Sequence, residues 1–293
     1  MGLPSNSEEC IRLSTNKQAM RMAFADGGDP SPRSVAVRVG DDYETLTEVL
    51  SYPVIVKPSD RSGSRGITKA LRASELQSAL YSAWGVSFNG TALVEEFLEG
   101  TEFSVECFSW EGKHQVLQIT RKYTTGAPHF VETAHVQPSG VDSITEKRIV
   151  SVVTHALGSL KVWQGASHAE VKVNARGEPW IVEIGSRMGG DFIGSSLVPL
   201  STGIDYVGAV IDAALGIRPN LIPRHEARAA AVRFVLSSED YKMVNRLRRD
   251  CPELIVEASW DKPVGRKVTD SSMRFGCCVM AADSVDTLTP WLP

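Results

Sequence analysis

Residues 168–190 read His-Ala-Glu-Val-Lys-Val-Asn-Ala-Arg-Gly-Glu-Pro-Trp-Ile-Val-Glu-Ile-Gly-Ser-Arg-Met-Gly-Gly. Apolar residues alternate with polar ones over 169–173 and again over 180–184, and the connection 174–178 carries an asparagine and a glycine. That pattern predicts a β-hairpin. Glu170 and Glu183 fall one on each arm among apolar neighbours, so pairing of the arms directs two carboxylates to the same side of a sheet. Neighbouring carboxylates repel, and each tends to stay protonated unless a cation lies between them. A hard divalent ion whose shell is completed by phosphate oxygens, most simply Mg²⁺, satisfies both. Arg187 and the pair Gly189-Gly190 follow at once, offering a bidentate cation and close backbone approach for a further anion. An ordinary hairpin with two solvated glutamates fits the same residues, and what lies upstream separates the two readings.

Upstream, Tyr52-Pro-Val-Ile-Val-Lys-Pro58 is a short β-branched strand ending at Lys57, where packing alone gives no reason for a lysine. It runs into Ser59-Asp-Arg-Ser-Gly-Ser-Arg-Gly66. Free amides at Gly63 and Gly66, the hydroxyls of Ser62 and Ser64 and a nearby lysine are what polyphosphate binding requires. The Gly-Lys-Ser/Thr of a Walker A loop is absent. A helix is expected over 6–25, capped at Asn6 or Ser7 and carrying Lys17. Leu93-Val-Glu-Glu-Phe-Leu98 reads as a strand leaving into a hinge, where the main chain of Glu95, Glu96, Phe97 and Leu98 is placed to read an adenine edge. Glu102 then suits the two hydroxyls of a ribose. An edge strand with exposed acids accounts for these residues equally well taken alone.

Between hinge and hairpin, 103–110 and 114–122 alternate around Glu111-Gly112 as a second hairpin. The segment 123–135 has mixed polarity. His129, Glu132 and His135 are spaced by threes, which suits no extended strand, so a loop is expected there; a loop contacting substrate is favoured over a zinc site, and plain solvation accounts for any one of the three taken alone. Helices are expected over 73–82, 143–159 and 201–215. From Arg224 onward, strands at 227–236, 254–258 and 274–282 alternate with a charged helix at 239–249, as in a small α+β unit.

Composition sets the class. With 31 basic and 35 acidic residues the net charge is −4, which leaves no electrostatic footprint for nucleic acid. The start of the chain lacks the basic and apolar regions of a signal peptide, and no apolar run approaches the ~20 residues of a membrane span. Five scattered cysteines without CxxC spacing suit reduced thiols and a cytoplasmic location. A homodimer stays open, because apolar surface cannot be separated from core in the sequence.

In this order the motifs resemble the ATP-grasp superfamily over roughly residues 3–220. Lys17 and Lys57 resemble its two phosphate lysines, 59–66 its lid loop, Glu95 to Leu98 its adenine hinge, and Glu102 its ribose ligand. Glu170 and Glu183 resemble its Mg²⁺ ligands, and Arg187 the arginine beside its acyl-phosphate site. Glu183-Ile-Gly-Ser-Arg-Met-Gly-Gly-Asp-Phe192, His129-Phe-Val-Glu132 and the unit after 220 are similar to the carboxylate–amine ligase branch, which includes the L-amino acid ligases. Two features depart from the family. Gly185 stands where many members have an asparagine, which removes a ligand for a second Mg²⁺ or leaves water in its place. An N-terminal α/β domain usually precedes the segment that here begins at residue 2, so either the sequence is a trimmed piece of a longer one or part of the substrate cleft is absent.

The resemblance implies an α+β ATP-grasp fold, with two α+β subdomains sandwiching ATP (1–98 and 99–220) and a small C-terminal α+β domain (221–293). It implies an ATP-dependent ligase using one or two Mg²⁺ ions, with Mn²⁺ an alternative, to join a small carboxylic acid to an amine, with amino acids as candidates. Arg187 would hold the acid, while Glu132 or His129 would orient or deprotonate the amine. The alternative is a nucleotide-binding fragment or degenerate ligase that works only with a partner.

Overall fold

The alternating segments sort into two antiparallel sheets in the computed structural model, which describes residues 3–43, 46–63, 65–127, 130–265 and 267–293. Helices α1 (Glu8–Thr15) and α2 (Lys17–Gly27) lead into β1 (Ser34–Arg38), α3 (Leu46–Val49), β2 (Val54–Pro58), β3 (Thr68–Ala70), α4 (Leu76–Val86) and β4 (Thr91–Glu96). There follow β5 (Thr101–Trp110), β6 (Lys113–Thr124), β7 (Glu132–Gln137), α5 (Ser143–Ser159), β8 (Gly165–Val173) and β9 (Pro179–Gly185). The remainder is α6 (Val198–Thr202), α7 (Tyr206–Ala214), β10 (Ala229–Phe234), α8 (Ser238–Asp250), β11 (Ile255–Trp260), β12 (Gly276–Ala282) and α9 (Val285–Leu288). The first sheet has the order β1-β4-β2-β3, and the second β11-β12-β10-β7-β6-β5-β8-β9.

The helix expected over 6–25 is two helices. Asn16 is extended (φ −98°, ψ 110°), and its side chain accepts from the Ala19 amide at 3.0 Å, so it caps α2 and sets Lys17 at that helix's first position. Ser7 caps α1 in the same way. The helix expected over 201–215 also divides, at Gly203 (φ 74°), and Asp205 caps α7. Helix α5 starts as read, with Asp142 accepting from the Ile144 and Thr145 amides.

Strand alternation decides what each sheet covers. In the second sheet Val105, Cys107, Ile119, Ala169, Val171, Ile181 and Ile184 face Met20 and Phe24 of α2 and Ile149, Val153 and Leu157 of α5. Each fully buried valine, isoleucine, leucine, methionine or phenylalanine among them stabilises the fold by roughly 1.5–3 kcal/mol. The helices of residues 8–27, expected with the first subdomain, therefore pack on the core of the second sheet. In the first sheet, Leu76, Ala79, Leu80 and Ala83 of α4 cover Val54, Val56, Ala70, Ala92 and Val94. Strands β10, β11 and β12 continue the second sheet through the β7–β10 pairing, while enclosing a further core with α8 and α9. Among the described residues no single helix is long and apolar enough to cross a membrane.

Candidate active site

The face of the second sheet turned away from α2 and α5 is polar by the same alternation. Glu102, Ser104 and Glu106 of β5 lie beside Lys172, Glu170 and His168 of β8, and Glu170 is paired directly with Glu183 of β9. Opposed residues on antiparallel strands project to one side, so the two glutamates read from the hairpin stand next to each other. Between Glu170/Glu183 and Val171/Ile181 the register shifts by one residue. This bulge keeps Ile181 in the core, while the carbonyl of the extra residue, Val182, accepts from Arg21 Nη2 at 2.6 Å.

A second bulge corrects the reading of 123–135. Glu132 and His135 lie on strand β7, not in a loop. Thr124 pairs with Glu132, Tyr123 with Ala134, and Lys122 with His135, so Thr133 is the extra residue. One extra residue inverts the alternation, and side chains three apart come to the same face. The spacing by threes is thus compatible with a strand once the bulge is present.

Between the two sheets lies a cavity of about 360 Å³, within the usual range of small-molecule sites. Lys17, Lys57, Ser62, Gly63, Glu95, Glu96, Phe97, Leu98, Glu102, Glu132, Glu170, Glu183 and Arg187 all line it. Gly66 does not: at φ 70° it packs against Val86 of α4, where a Cβ would collide. Ser64 and His129 lie outside the described residues.

The charges form a connected network. Glu95, 3% exposed, accepts from Arg21 Nε at 2.7 Å and lies 2.6 Å from Lys57 Nζ. Burial works to raise the Glu95 carboxyl, but Arg21 and Lys57 together bring it below the ordinary range. Lys17 Nζ meets Glu183 at 3.0 Å and donates to the Arg61 carbonyl at 2.8 Å. Lys122 Nζ lies 2.7 Å from Glu102, 2.9 Å from Glu170 and 3.9 Å from Glu132. Burial alone would discharge Lys122, but these carboxylates hold it firmly protonated. Burial would likewise raise Glu170, yet Lys122 and His168 keep it well below its usual value. His168 is bound through Nδ1 to the buried Glu106, whose other oxygen accepts from the Gly189 amide at 3.0 Å. Burial opposes its charge, but Glu106 and Glu170 raise His168 to about 9.

At the far wall, Arg274 bridges Glu132 and Asp191, each at 2.9 Å. Asp191 (φ 51°) and Phe192 (φ 66°) are two successive left-handed non-glycine residues directly after Gly189-Gly190, a strain of the kind that gathers at functional sites. At the hinge, the amides of Glu96 and Phe97 bond to the carbonyls of Arg33 and Pro53, and Lys172 donates to the Leu98 carbonyl at 3.2 Å. Lys69 Nζ lies 3.4 Å above the Phe97 ring.

Arg21, Lys122, His168, Lys172, Asp191 and Arg274 were not singled out in the sequence. Two signals pointed to some of them: Arg21 is one helical turn beyond Lys17, and His168, Glu170 and Lys172 recur every second residue on one strand. Arg274 is brought in only by the sheet continuing through β10 and β12.

The donor set suits an anion with a divalent cation. Arg21 Nη1 and Ser104 Oγ are buried at the cavity wall without a hydrogen-bond partner among the described residues, and each is available to a ligand oxygen. Glu170 and Glu183 supply hard oxygen ligands. No group of three or more His, Cys, Asp and Glu among the described residues is placed to hold a metal alone. A cation here would therefore draw further oxygens from a ligand. Gly185, two residues past Glu183 and opposite His168, adds no side chain.

The chain is also similar to known proteins. A family model described as an ATP-grasp domain matches residues 50–195. A D-alanine–D-alanine ligase of Aromatoleum aromaticum is 31% identical over 216 residues, covering 70% of this chain and 68% of that one. The alanine–anticapsin ligase of Bacillus subtilis is 26% identical, covering 68% of this chain and 46% of its own. Other D-alanine–D-alanine ligases are matched over 66% and 59% of their length, so the chain spans about half to two thirds of these relatives. The crystal structure of an L-amino acid ligase from Bacillus licheniformis superposes with a TM-score of 0.79 at 23% identity, covering 98% of this chain and 72% of that one.

Proposed function

Since the chain belongs to the ATP-grasp superfamily, in its carboxylate–amine ligase branch, we propose that it uses ATP to join a small carboxylic acid to an amine, with amino acids as the substrate class. The observation that carries this reading is the direct pairing of Glu170 with Glu183 in a cavity that also holds Lys17 and Lys57.

Lys17, Lys57 and the backbone at Ser62 and Gly63 take the phosphates of ATP, and Arg21 Nη1 offers a further donor. The hinge from Glu95 to Leu98 receives the base and Glu102 the ribose. Glu170 and Glu183 hold the divalent cation, which when bound neutralises phosphate charge. A carboxylate oxygen of the acid attacks the γ-phosphorus; the bond to the bridging oxygen breaks and ADP leaves. Arg187 holds the acid and then the acyl phosphate, matching its planar fork to carboxylate and phosphate oxygens. The amine attacks the acyl carbon, phosphate departs with the electron pair of the C–O bond, and the amine gives up a proton as the amide forms. Glu132, held between Lys122 and Arg274, is raised by burial and stands at the wall where that proton leaves. The protein's contribution is positioning and charge neutralisation more than covalent chemistry.

Calorimetry of ATP binding with and without Mg²⁺, on wild type and Glu183→Gln, tests the site. Mg²⁺-dependent binding that weakens in the variant is expected, followed by phosphate release when amino acids are supplied. A folded sample that binds no nucleotide would overturn the reading. Binding without phosphate release across an amino-acid panel would assign nucleotide binding alone.

A further inference from the structure

Both metal-type glutamates already have cations. Glu183 Oε1 pairs with Lys17 Nζ at 3.0 Å, and Glu170 Oε1 pairs with Lys122 Nζ at 2.9 Å, with His168 Nε2 3.7 Å from the same oxygen. The lysines come from different places, α2 and β6, yet both are buried while their glutamate partners stay about 30% open to the cavity. We propose that Lys17 and Lys122 serve as resident counter-cations of this carboxylate pair, so that the protein takes up a divalent cation together with the nucleotide and not ahead of it. The inference rests on the reading of the cavity as a Mg²⁺–ATP site.

Charge balance is the reason. A free divalent cation approaching Glu170 and Glu183 gains their attraction but meets two ammonium groups within hydrogen-bond distance of the same oxygens. In a partly desolvated site that repulsion is of the same order as the attraction. A nucleotide changes the sum. Its phosphates carry more negative charge than the lysines carry positive, and they lie where Lys17 can turn from Glu183 to a phosphate oxygen. The carboxylates are then under-neutralised and ready for a divalent ion. Lys122 extends the same coupling to the ribose end of the cavity, because its ammonium is shared between Glu170 and Glu102. Lys17 extends it to the segment after β2 through the Arg61 carbonyl.

Mn²⁺ binding, followed through the paramagnetic resonance signal of the free ion, provides the test on the full chain, with and without a non-hydrolysable ATP analogue. Wild type is expected to bind Mn²⁺ weakly alone and at least about 10-fold more tightly with the nucleotide. Lys122→Met and Lys17→Met are each expected to tighten nucleotide-free Mn²⁺ binding by about 10-fold or more, as removal of one adjacent unit charge implies. Thermal melts establish that each variant is folded; if Lys122→Met is not, Lys17→Met decides. Nucleotide-free Mn²⁺ affinity equal in wild type and the folded lysine variants would overturn the proposal while leaving the ATP site intact. Wild type that binds neither the analogue nor Mn²⁺ with it would overturn the ATP-site reading itself.

Discussion

Glu95 Oε2 stands 2.6 Å from Lys57 Nζ while its Oε1 accepts from Arg21 Nε at 2.7 Å, so one buried carboxylate holds two cations from two different elements. Arg21 in turn reaches the Val182 carbonyl on β9. Through this one side chain, the lysine on the first sheet and the carboxylate strand of the second are held at a fixed separation.

Replacing Glu95 with Gln keeps the volume and removes the charge. Lys57 and Arg21 are then buried without a counter-ion, the situation in which breaking a buried pair costs about 3–5 kcal/mol. The expected result is a fall of that size in urea stability at neutral pH, together with weaker ATP binding. An unchanged urea midpoint would mean both that Lys57 discharges at little cost, a course its burial-lowered pKa favours, and that the Val182 carbonyl suffices as a partner for Arg21.

Gly189 is required by close approach. A Cβ there would collide with Glu106 and lie 2.7 Å from His168 Nδ1. Gly189→Ala is therefore expected to separate Glu106 from His168 and cost about 1–3 kcal/mol, as overpacking does. Displacing His168 also shifts Glu170, so Mn²⁺ affinity in the presence of ATP should fall along with the melting temperature. Gly190, which has open space around the same position, is the control for folding: Gly190→Ala should leave the melting temperature unchanged.

The parts of the site that could be read in the sequence are those that alternation alone specifies. Glu170 and Glu183 were legible because each sits between apolar residues on an arm of a short hairpin, and Lys57 because a strand otherwise made of β-branched residues ends on it. The parts that depend on a shifted register were not. Thr133 looks like any strand residue, yet as a bulge it sets Glu132 and His135 on one face. Asn16 within a helical pattern looks like a tolerated polar residue, and only its cap geometry shows two helices in place of one. Arg274 is more than 80 residues from the hairpin in sequence, and only the pairing of distant strands makes it a neighbour of Asp191.

His135 supplies a pH dependence. It is 1% exposed; burial first, with Lys122 and Arg274 adding to it, outweighs Asp191 and lowers its pKa to about 4. In the unfolded chain the imidazole titrates near 6.5. Between these values the unfolded state binds the extra proton, so stability rises with pH across that window. The contribution is fully present above pH 6.5 and is lost as pH falls from there through about 4. Its full size is up to about 3 kcal/mol. His135→Gln should flatten the acid limb of a stability–pH curve between pH 6.5 and 4 and leave the limb below pH 4 to carboxylates such as Asp191, itself lowered to about 2 by His135 and Arg274 against the effect of burial. An acid limb of the same slope in the variant would place the titrating group elsewhere.

Arg187 separates charge from shape. Its guanidinium is exposed at the cavity, where Nη1 donates to the Met188 carbonyl at 2.9 Å, and it forms no ion pair with an acid among the described residues. Among the cations lining the cavity, Lys17 is already paired with Glu183, Lys57 and Arg21 with Glu95, and Lys122 with Glu102 and Glu170. An incoming acid therefore meets in Arg187 a cation it can bind without first breaking a salt bridge. Lysine at this position keeps the charge but loses the fork that binds two oxygens at once. Loss of one charge-assisted hydrogen bond is worth about 1.5–3 kcal/mol, so Arg187→Lys should raise the KM for the acid about 10- to 100-fold while the affinity for ATP stays unchanged. Phosphate release measured against acid concentration, with ATP saturating, reads the first quantity, and calorimetry reads the second. A variant that instead loses ATP affinity with the KM for the acid unchanged would move Arg187 from the carboxylate to the nucleotide phosphates.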